Sequence, residues 1–250
     1  MLPCYLINLD RAPDRLDFIS RRLRDLAITY VRIAATDGNV LPETERKAFI
    51  AARPRDGRSW SNGQIGCFMS HTEAWRDIVE SGLAHAVVIE DDVHVSDTAR
   101  VFLQDASWIP ADADIVRLES TGQWLKLAKG GTNFQGRSVR RVKSTAWATG
   151  AYIITKSAVS KLLATDEKLH SPVDDFLFNL EGSKVAQGLT VYQLVPALVE
   201  QDKFIMNQSA SKGFGSDIEV GNIFQRMRGI TGMLRSIVSA ARGKSEVGFR

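Results

Sequence analysis

The chain has 250 residues, of which 44% are hydrophobic and 24% charged, and its 32 basic and 29 acidic side chains leave a net charge of +3. This length suits one large α/β domain or two small ones, and the composition is that of an ordinary globular protein. A membrane-spanning helix is excluded, because no apolar run approaches the roughly 20 residues that such a helix needs. The balanced charge gives no reason to expect nucleic acid as a partner.

The two cysteines, Cys4 and Cys67, are too sparse to indicate a disulfide framework and favour reduced thiols in an intracellular compartment. The first ten residues lack the basic region of a signal peptide. We therefore expect a cytoplasmic protein.

The first fifty residues predict the beginning of a nucleotide-binding α/β fold. A short apolar run predicts a strand over 4–9, and apolar residues at helical spacing predict a helix over 13–26, which Pro13 suits at its first turn. A second strand follows over 29–34 and a weaker helix over 42–52. The strand–helix–strand order is typical of a βαβ unit.

Polar residues follow the first strand at the place where an anionic cofactor would sit. These are Asn8, Arg11 and Arg15, and the helix that begins here also offers backbone N–H groups to a phosphate. An equally open alternative is that the two arginines pair with aspartates on the solvated surface of the same helix.

A polar loop over 53–63 contains three arginines and is either a mobile active-site loop or a solvated connector. The helix predicted over 64–81 ends at Gly82, a typical C-terminal cap. Ser70 and His71 lie in the middle of this helix. A histidine in such a position is more often a hydrogen-bonding core residue than a catalyst.

The stretch 86–93 reads Ala-Val-Val-Ile-Glu-Asp-Asp-Val, a buried strand that runs into three carboxylates. If the backbone stays extended, Glu90 and Asp92 point to one side and Asp91 to the other. Two such carboxylates are tolerated beside water, a basic group or a divalent cation. Acid clusters at strand ends also occur in receiver domains, in aspartyl-phosphate phosphatases and as plain solvated charges.

The second half of the chain predicts a short helix that Asp97 caps, a strand over 114–118, and a strand over 145–155 with a close backbone approach at Gly150. Between the strands, 119–143 is Gly-rich and basic, which suits a hairpin or an acceptor-side insertion. The remaining predicted elements are a helix over 157–163, a helix that opens at 171–174 and a strand over 190–195.

The C-terminal residues carry most of the positive charge. From residue 220 onward there are six basic side chains and one acid, and 222–242 has apolar residues three and four apart, flanked by arginines. We interpret the chain as a domain over 1–220 and a basic amphipathic tail over 221–250. Such a helix can lie on an anionic membrane surface. Packing against the domain or a partner is the alternative.

Several of these stretches together resemble glycosyltransferase family 25, the lipooligosaccharide and collagen galactosyltransferase family. The order and spacing fit over residues 1 to about 200. The matching stretches are 7–15, 37–38, 63–71 through Trp75, 88–93, 149–152 and 172–174.

The resemblance implies a GT-A-type fold, an α/β architecture with a mixed central sheet flanked by helices. It also implies inverting transfer of galactose or another hexose from a UDP-sugar. The acceptor would be a lipopolysaccharide- or lipooligosaccharide-type glycan or another glycan. Mn²⁺ or Mg²⁺ would neutralise the charge on the departing diphosphate.

The same resemblance implies a set of site residues. Glu90 and Asp92 would bind the metal, and Asp91 could instead contact ribose. Asp174 is the candidate base, with Asp175 in reserve, although Ser171-x-x-Asp174 also matches a capping box. The residues that would contact the donor are Asn8, Arg11, Arg15, Asp37, Ser70, His71 and Asp91.

Two other functions remain open from the residues. One is a phosphoryl-transfer protein with Asp91 or Asp92 as nucleophile and with Thr155 and Lys156 as its further catalytic groups. The other is a sugar-nucleotide- or metal-binding module without activity.

Overall fold

A computed structural model of the protein describes residues 1–51, 60–165, 171–205, 212–214 and 243–250. Among these residues, none of the helices combines the length and the apolar character needed to cross a membrane. The predicted loop over 53–63 lies mostly outside the described residues, and so does the predicted tail helix over 222–242.

The described residues form seven α-helices and thirteen strands. The helices are α1 (Pro13–Asp25), α2 (Glu43–Ala51), α3 (Asn62–Ser81), α4 (Ala99–Leu103), α5 (Lys156–Ala164), α6 (Val173–Phe178) and α7 (Lys184–Gly188). The strands are β1 (Cys4–Asn8), β2 (Val31–Ala34), β3 (His85–Glu90), β4 (Val93–Val95), β5 (Ile115–Arg117), β6 (Glu119–Ser120), β7 (Trp124–Lys126), β8 (Thr132–Phe134), β9 (Arg137–Arg141), β10 (Ala151–Thr155), β11 (Val191–Val195), β12 (Val199–Gln201) and β13 (Lys244–Glu246).

The largest sheet among these strands has eight members in the order β2-β1-β3-β10-β5-β11-β9-β8. β1 is parallel to β2 and β3, whereas β10 runs antiparallel between β3 and β5. A second sheet has the order β4-β12-β6. The predicted α/β class, with a mixed central sheet flanked by helices, is confirmed.

Alternating side chains of the central strands divide the core into two layers. Tyr5 and Val88 belong to the layer that contains α3, α5 and α6. Leu6 and Ile89 belong to the opposite layer, with α1 and α4. The residues that follow β3 therefore lie at the sheet edge between these two helical layers.

Helix α3 is defined at both ends by its sequence. Ser61 Oγ accepts a hydrogen bond from Gln64 N at 3.1 Å, and Gln64 Oε1 accepts one from Ser61 N at 3.0 Å. This capping box starts the helix two residues before the predicted position. Gly82, at φ 72°, ends it as predicted.

Two local predictions are wrong. The N-cap of α4 is Thr98 rather than Asp97. The carboxylate of Asp97 is 90% exposed and accepts a hydrogen bond from Arg22 at 2.6 Å instead. The predicted strand over 86–93 is also interrupted, because β3 ends at Glu90 and residues 91–92 form a turn before β4.

The basic region over 119–143 contains the predicted hairpin. β8 and β9 are antiparallel and are joined through Gln135 and Gly136, both at positive φ. Two successive left-handed residues are the geometry of a tight hairpin turn.

The last eight residues pack against the domain. β13 is antiparallel to β7, and Ala197 forms a bridge with Phe249. Arg137 Nη2 donates to the carbonyl oxygen of Arg250 at 2.7 Å. The end of the predicted tail thus packs on the domain. The sequence had suggested that residues 1–220 form this domain without the tail.

Candidate active site

Glu90 ends β3 and is held by donors from three elements. Its Oε1 accepts hydrogen bonds from His71 Nε2 at 3.2 Å and from Thr149 Oγ1 at 2.7 Å. Its Oε2 accepts one from Gln201 Nε2 at 2.9 Å. Burial opposes ionisation, but the hydrogen bonds from His71 and Thr149 outweigh it, so the pKa of Glu90 is lowered.

Asp92 shares the same amide but has fewer donors. Gln201 Nε2 lies 3.3 Å from Asp92 Oδ1. Burial, followed by the charge of Glu90, raises the pKa of Asp92 from 3.8 to about 7, and Lys203 only partly offsets this. The predicted pairing of Glu90 with Asp92 is therefore present, although the extended backbone expected to produce it is replaced by a turn.

Asp91 faces the opposite layer, although a turn at 91–92 replaces the extended backbone from which this orientation was predicted. Its Oδ2 accepts a hydrogen bond from the buried Asn8 Nδ2 at 2.7 Å, and its Oδ1 lies 3.4 Å from Arg15 Nη1. Burial raises the pKa of Asp91, and the two donors lower it only in part. Arg32 Nε donates to Asn8 Oδ1 at 3.0 Å, which fixes the amide that holds Asp91.

The N-terminus of α1 lines an open cleft of about 300 Å³ beside Asp91. The cleft is bounded by residues 11–15 on one side and by Gly213 and Phe214 on the other. The guanidinium of Arg15 lies 6.0 Å from the centre of the Phe214 ring. No side chain caps α1 at Ala12, so its first-turn N–H groups face this cleft without a side-chain acceptor from the N-cap.

Asp202 holds the far wall of this cleft, and no pattern in the sequence singles it out. The side chain of Asp202 accepts hydrogen bonds from Lys212 N at 2.7 Å and Phe214 N at 3.0 Å. It also lies 2.7 Å from His94 Nε2, while its own backbone N donates to the Asp92 carbonyl at 2.7 Å. The cleft wall and the acidic turn are thus joined through one buried residue.

Arg11, which lines the cleft, contacts Asp37 after β2. Arg11 Nε lies 2.6 Å from Asp37 Oδ2, and the Arg11 side chain is 46% exposed. Burial opposes ionisation of Asp37, but the backbone N–H of Asn39 and the Arg11 guanidinium outweigh it and lower its pKa. Arg11 thus contacts an aspartate outside its own helix, whereas the predicted alternative was pairing within that helix.

His71 is buried and forms a relay to Glu90. Trp75 Nε1 donates to Tyr152 Oη at 2.9 Å, and Tyr152 Oη lies 2.9 Å from His71 Nδ1. All the groups are satisfied when Nδ1 accepts and Nε2 donates to Glu90. His71 therefore orients a carboxylate.

Ser70, the neighbour of His71, serves the scaffold. Its hydroxyl donates to the Gly66 carbonyl at 2.7 Å and accepts from Thr36 N at 2.9 Å. These bonds tie α3 to the loop after β2. Both hydrogen bonds go to the backbone, so Ser70 positions the loop that carries Asp37.

The segment 147–150 connects the base candidate to the acidic turn. Ala148 N donates to Asp174 Oδ2 at 3.2 Å, and Thr149 Oγ1 donates to Glu90. Ala148 has φ 70°, a left-handed conformation that alanine seldom adopts unless the surrounding structure imposes it. Two neighbouring residues thus reach two different carboxylates.

Gly150 brings a third acid, Glu119, to the same place. Gly150 N donates to Glu119 Oε2 at 2.9 Å, and Arg117 Nη2 lies 3.4 Å from Glu119 Oε1. Burial is the main reason that the pKa of Glu119 rises to about 8. Arg117 and Glu119 were not among the predicted site residues. They follow an apolar strand, as the acids at 90–92 do.

The two candidate bases on α6 differ in their surroundings. Asp174 Oδ1 accepts from Asp175 N at 2.9 Å in addition to the bond from Ala148. Asp175 Oδ1 instead accepts from Asn179 Nδ2 at 3.2 Å, one turn along the same helix. The helix is capped by Pro172 without a side-chain hydrogen bond, so the capping box expected from Ser171 is absent.

A hard divalent cation fits the residues around Glu90 and Asp92. Gln201 gives its NH₂ group to both carboxylates, and its Oε1 is buried without a hydrogen-bond partner among the described residues. Carboxylate and amide oxygens are the ligands that Mg²⁺ and Mn²⁺ prefer. An unpartnered buried oxygen beside two carboxylates is the environment that such an ion would complete.

A second group of possible metal ligands, which includes a sulfur atom, also contains Glu90. Single ligand atoms of Cys67, His71 and Glu90 lie within 4.8 Å of one another. Burial, then the charges of Glu90 and Asp174, raises the pKa of the Cys67 thiol well above its ordinary value, which disfavours the thiolate that a soft metal requires. We interpret this cluster as core packing.

The geometry does not support the phosphoryl-transfer alternative. Thr155 pairs with His85, five residues before Glu90, and its hydroxyl caps α5. Five residues of strand span about 16 Å. Thr155 and Lys156 therefore lie at the opposite end of β3 from the carboxylates.

Residues 1–177 match the sequence model of glycosyltransferase family 25, described as an LPS biosynthesis protein family. The chain belongs to this family.

Among its relatives, the lacto-N-neotetraose biosynthesis glycosyltransferase LgtB of Neisseria meningitidis serogroup B is 32% identical over 178 residues, which are 66% of this chain and 64% of the relative. A mouse protein named inactive glycosyltransferase 25 family member 3 is 30% identical, over 69% of this chain and 31% of its own length. The chain thus spans less than two thirds of either relative.

A solved glycosyltransferase involved in glycosylating the major capsid of PBCV-1 overlaps 80% of this chain and 92% of its own, with a TM-score of 0.43 and 8% identity. A score of this size does not establish a shared fold.

Proposed function

We propose that the chain transfers galactose or another hexose from a UDP-sugar to a lipopolysaccharide- or lipooligosaccharide-type glycan, with Mn²⁺ or Mg²⁺ and with inversion at the anomeric carbon. The observation that supports this most is the shared amide of Gln201, because it holds the carboxylates of Glu90 and Asp92 close together, and a hard divalent cation would offset the repulsion between them. Membership of glycosyltransferase family 25 supports glycosyl transfer as the reaction class.

Glu90 and Asp92 would hold the cation, and Gln201 Oε1 is a third oxygen within the same group. The bound ion supplies positive charge to the diphosphate as the bond to the sugar breaks. The chain's own part is to fix the two carboxylates, which Thr149 and His71 do for Glu90. Since the donors on Glu90 come from three elements, its orientation is set before any ligand binds.

The nucleotide would lie along the N-terminus of α1. Arg15 and the first-turn N–H groups of α1 can donate hydrogen bonds to a phosphate in the cleft. Asp91 can accept a hydrogen bond from a ribose hydroxyl. Asn8 holds Asp91 from behind at 2.7 Å. Arg11 and Asp37 would contact the nucleotide beside this cleft.

Asp174 would take the proton of the acceptor hydroxyl. The hydroxyl oxygen attacks the anomeric carbon from the face opposite the diphosphate, the bond from carbon to phosphate oxygen breaks, and the proton passes to the carboxylate. Two backbone N–H groups orient Asp174 toward the segment that also contacts Glu90. Asp175 is turned toward Asn179, which supports Asp174 over Asp175.

The basic segment 222–242 would hold the enzyme at the inner face of a membrane, near a lipid-linked acceptor. Its four arginines and apolar spacing support this location. The protein would be cytoplasmic and peripheral.

Hydrolysis of UDP-sugars without an acceptor tests the central proposal. We expect the wild type to release UDP from one member of a UDP-hexose panel with Mn²⁺ and not with EDTA. Asp92→Ala should lower this rate at least about 100-fold, the size of effect seen when a catalytic charge stabiliser is removed. Asp17→Ala is the control, since Asp17 is 59% exposed on α1.

Two contrary results would contradict different parts of the proposed function, namely the metal role and the catalytic activity. Unchanged hydrolysis in EDTA would remove the metal role. UDP-sugar binding with neither hydrolysis nor transfer would favour a non-catalytic module, the state that the name of the mouse relative indicates for that protein.

A further inference from the structure

Trp147 differs from the other tryptophans of the chain. Its side chain is 41% exposed, whereas Trp60, Trp75 and Trp108 are 8% exposed or less and Trp124 is partly buried. A tryptophan side chain is among the largest apolar surfaces that a residue can offer, and part of this one is accessible to solvent.

The exposed indole stands on a fixed backbone. The Trp147 carbonyl accepts a hydrogen bond from Arg117 Nη2 at 2.7 Å, and Trp147 N donates to Gln123 Oε1 at 3.3 Å. Arg117 is itself 1% exposed, and its guanidinium lies 4.3 Å from the centre of the Phe178 ring. The backbone that carries the indole is therefore tied at its carbonyl to a buried arginine and at its N–H to Gln123.

Trp147 directly precedes the residues that contact the candidate base and Glu90. The next residue, Ala148, donates its backbone N–H to Asp174, and the one after it, Thr149, donates to Glu90. Consecutive Cα atoms are about 3.8 Å apart. The indole thus begins one residue from the Asp174 contact and two from the Glu90 contact.

We propose that Trp147 forms the acceptor subsite, where the C–H face of a pyranose ring packs on the indole while a hydroxyl of that ring faces Asp174. A pyranose has an apolar face and a hydroxyl rim, which match the apolar body and the polar edge of an indole. This inference rests on the proposed function, and it names the part of the acceptor that the enzyme recognises.

The uracil base is the other flat group that could stack on Trp147. The nucleotide-side residues Asn8 and Arg15 contact Asp91, which faces the layer of α1. Trp147 instead belongs to the segment that contacts Glu90, which faces the layer of α3. The division of the carboxylates between the two layers favours the acceptor sugar.

The test compares binding and catalysis in the full chain. Saturation-transfer NMR with methyl and octyl hexosides and N-acetylhexosaminides, in the presence of UDP and the diamagnetic ion Mg²⁺, detects contact with ring C–H protons. We expect Trp147→Ala to weaken binding of the best glycoside about tenfold and Trp147→Phe to retain most of it. Acceptor-free donor hydrolysis and the donor KM should change less than about twofold in both variants.

Leu83→Ala is the matched control, because Leu83 is an apolar side chain, 45% exposed, beyond the far end of α3. The proposal is overturned if wild type binds none of the glycosides, if Trp147→Ala binds them as wild type does, or if Leu83→Ala has the same effect. A rise in the donor KM of Trp147→Ala without loss of glycoside binding would assign the indole to uracil and also overturn it. If the wild type does not hydrolyse the donor at all, the proposed function is contradicted instead, since that measurement involves no acceptor.

Discussion

Replacement of Asp92 by asparagine should stabilise the metal-free protein at neutral and alkaline pH. The folded protein keeps the Asp92 proton up to a pKa of about 7, whereas the unfolded chain releases it near 3.8. Between these values the folded state binds more protons, so stability falls as pH rises through this window, and the whole penalty is present above pH 7. The difference corresponds to about 4 kcal/mol at 1.36 kcal/mol per pKa unit.

About half of that, ~2 kcal/mol, is the gain we expect from Asp92→Asn at pH 8, because Asp92 and Glu90 titrate as a pair and the variant relieves only one partner's share. Asparagine keeps the shape and can still accept the hydrogen bond from Gln201 Nε2. Near pH 4 both proteins are uncharged at residue 92, and the difference should vanish.

Urea unfolding in EDTA at pH 4, 6 and 8 measures this directly, with Asp17→Asn as an exposed control. Mn²⁺ at 100 times its Kd should then stabilise the wild type by about 2.7 kcal/mol and the variant far less. A variant no more stable than wild type at pH 8, or a gain that does not depend on pH, would refute the reasoning.

Two further predictions concern the packing around the site and the C-terminal segment. In Gly150→Ala the new methyl would lie 2.7 Å from Glu119 Oε2 and 2.8 Å from Gln201 Cγ, so we expect a loss of about 1–3 kcal/mol in unfolding free energy and a fall in donor hydrolysis. The control is Gly188→Ala, where a methyl meets nothing within 4 Å; similar losses in both variants would contradict the crowding argument. Charge reversal of the four arginines in 222–242 should abolish co-sedimentation of the full chain with phosphatidylserine vesicles, at about 1 kcal/mol per residue, and unchanged sedimentation would argue against membrane anchoring.

The parts of the fold that local pattern determines could be predicted from the sequence. The apolar period of 3.6 residues indicated α1 to within one residue, and Gly82 marked the end of α3. The acidic end of β3 could also be predicted, because an apolar run followed by three carboxylates is recognisable without knowing which residues it contacts in the fold. Each of these signals lies within about twenty consecutive residues.

The hydrogen-bonding partners of the carboxylates could not be predicted in the same way. Gln201 contacts Glu90 across 111 positions of sequence, and Asp202 reaches the acidic turn from the same distant segment. Nothing in the spacing of an isolated glutamine indicates which strand it will join. The resemblance located Thr149 within a matching stretch but gave it no role.

The unequal treatment of Glu90 and Asp92 is the feature that best explains how the site could work. Among the residues that the structure describes, Glu90 has three side-chain donors and a lowered pKa, whereas Asp92 shares one amide and has a pKa raised to about 7. The fold therefore stabilises one charge with its own hydrogen bonds and leaves the second to be stabilised by something that binds. If Asp92→Asn is more stable as we expect, the carboxylate at position 92 costs the metal-free fold stability, and a ligand that offsets its charge would recover it. A divalent cation between the two acids meets that requirement, and its affinity should increase as pH rises through 7 because binding must displace the Asp92 proton.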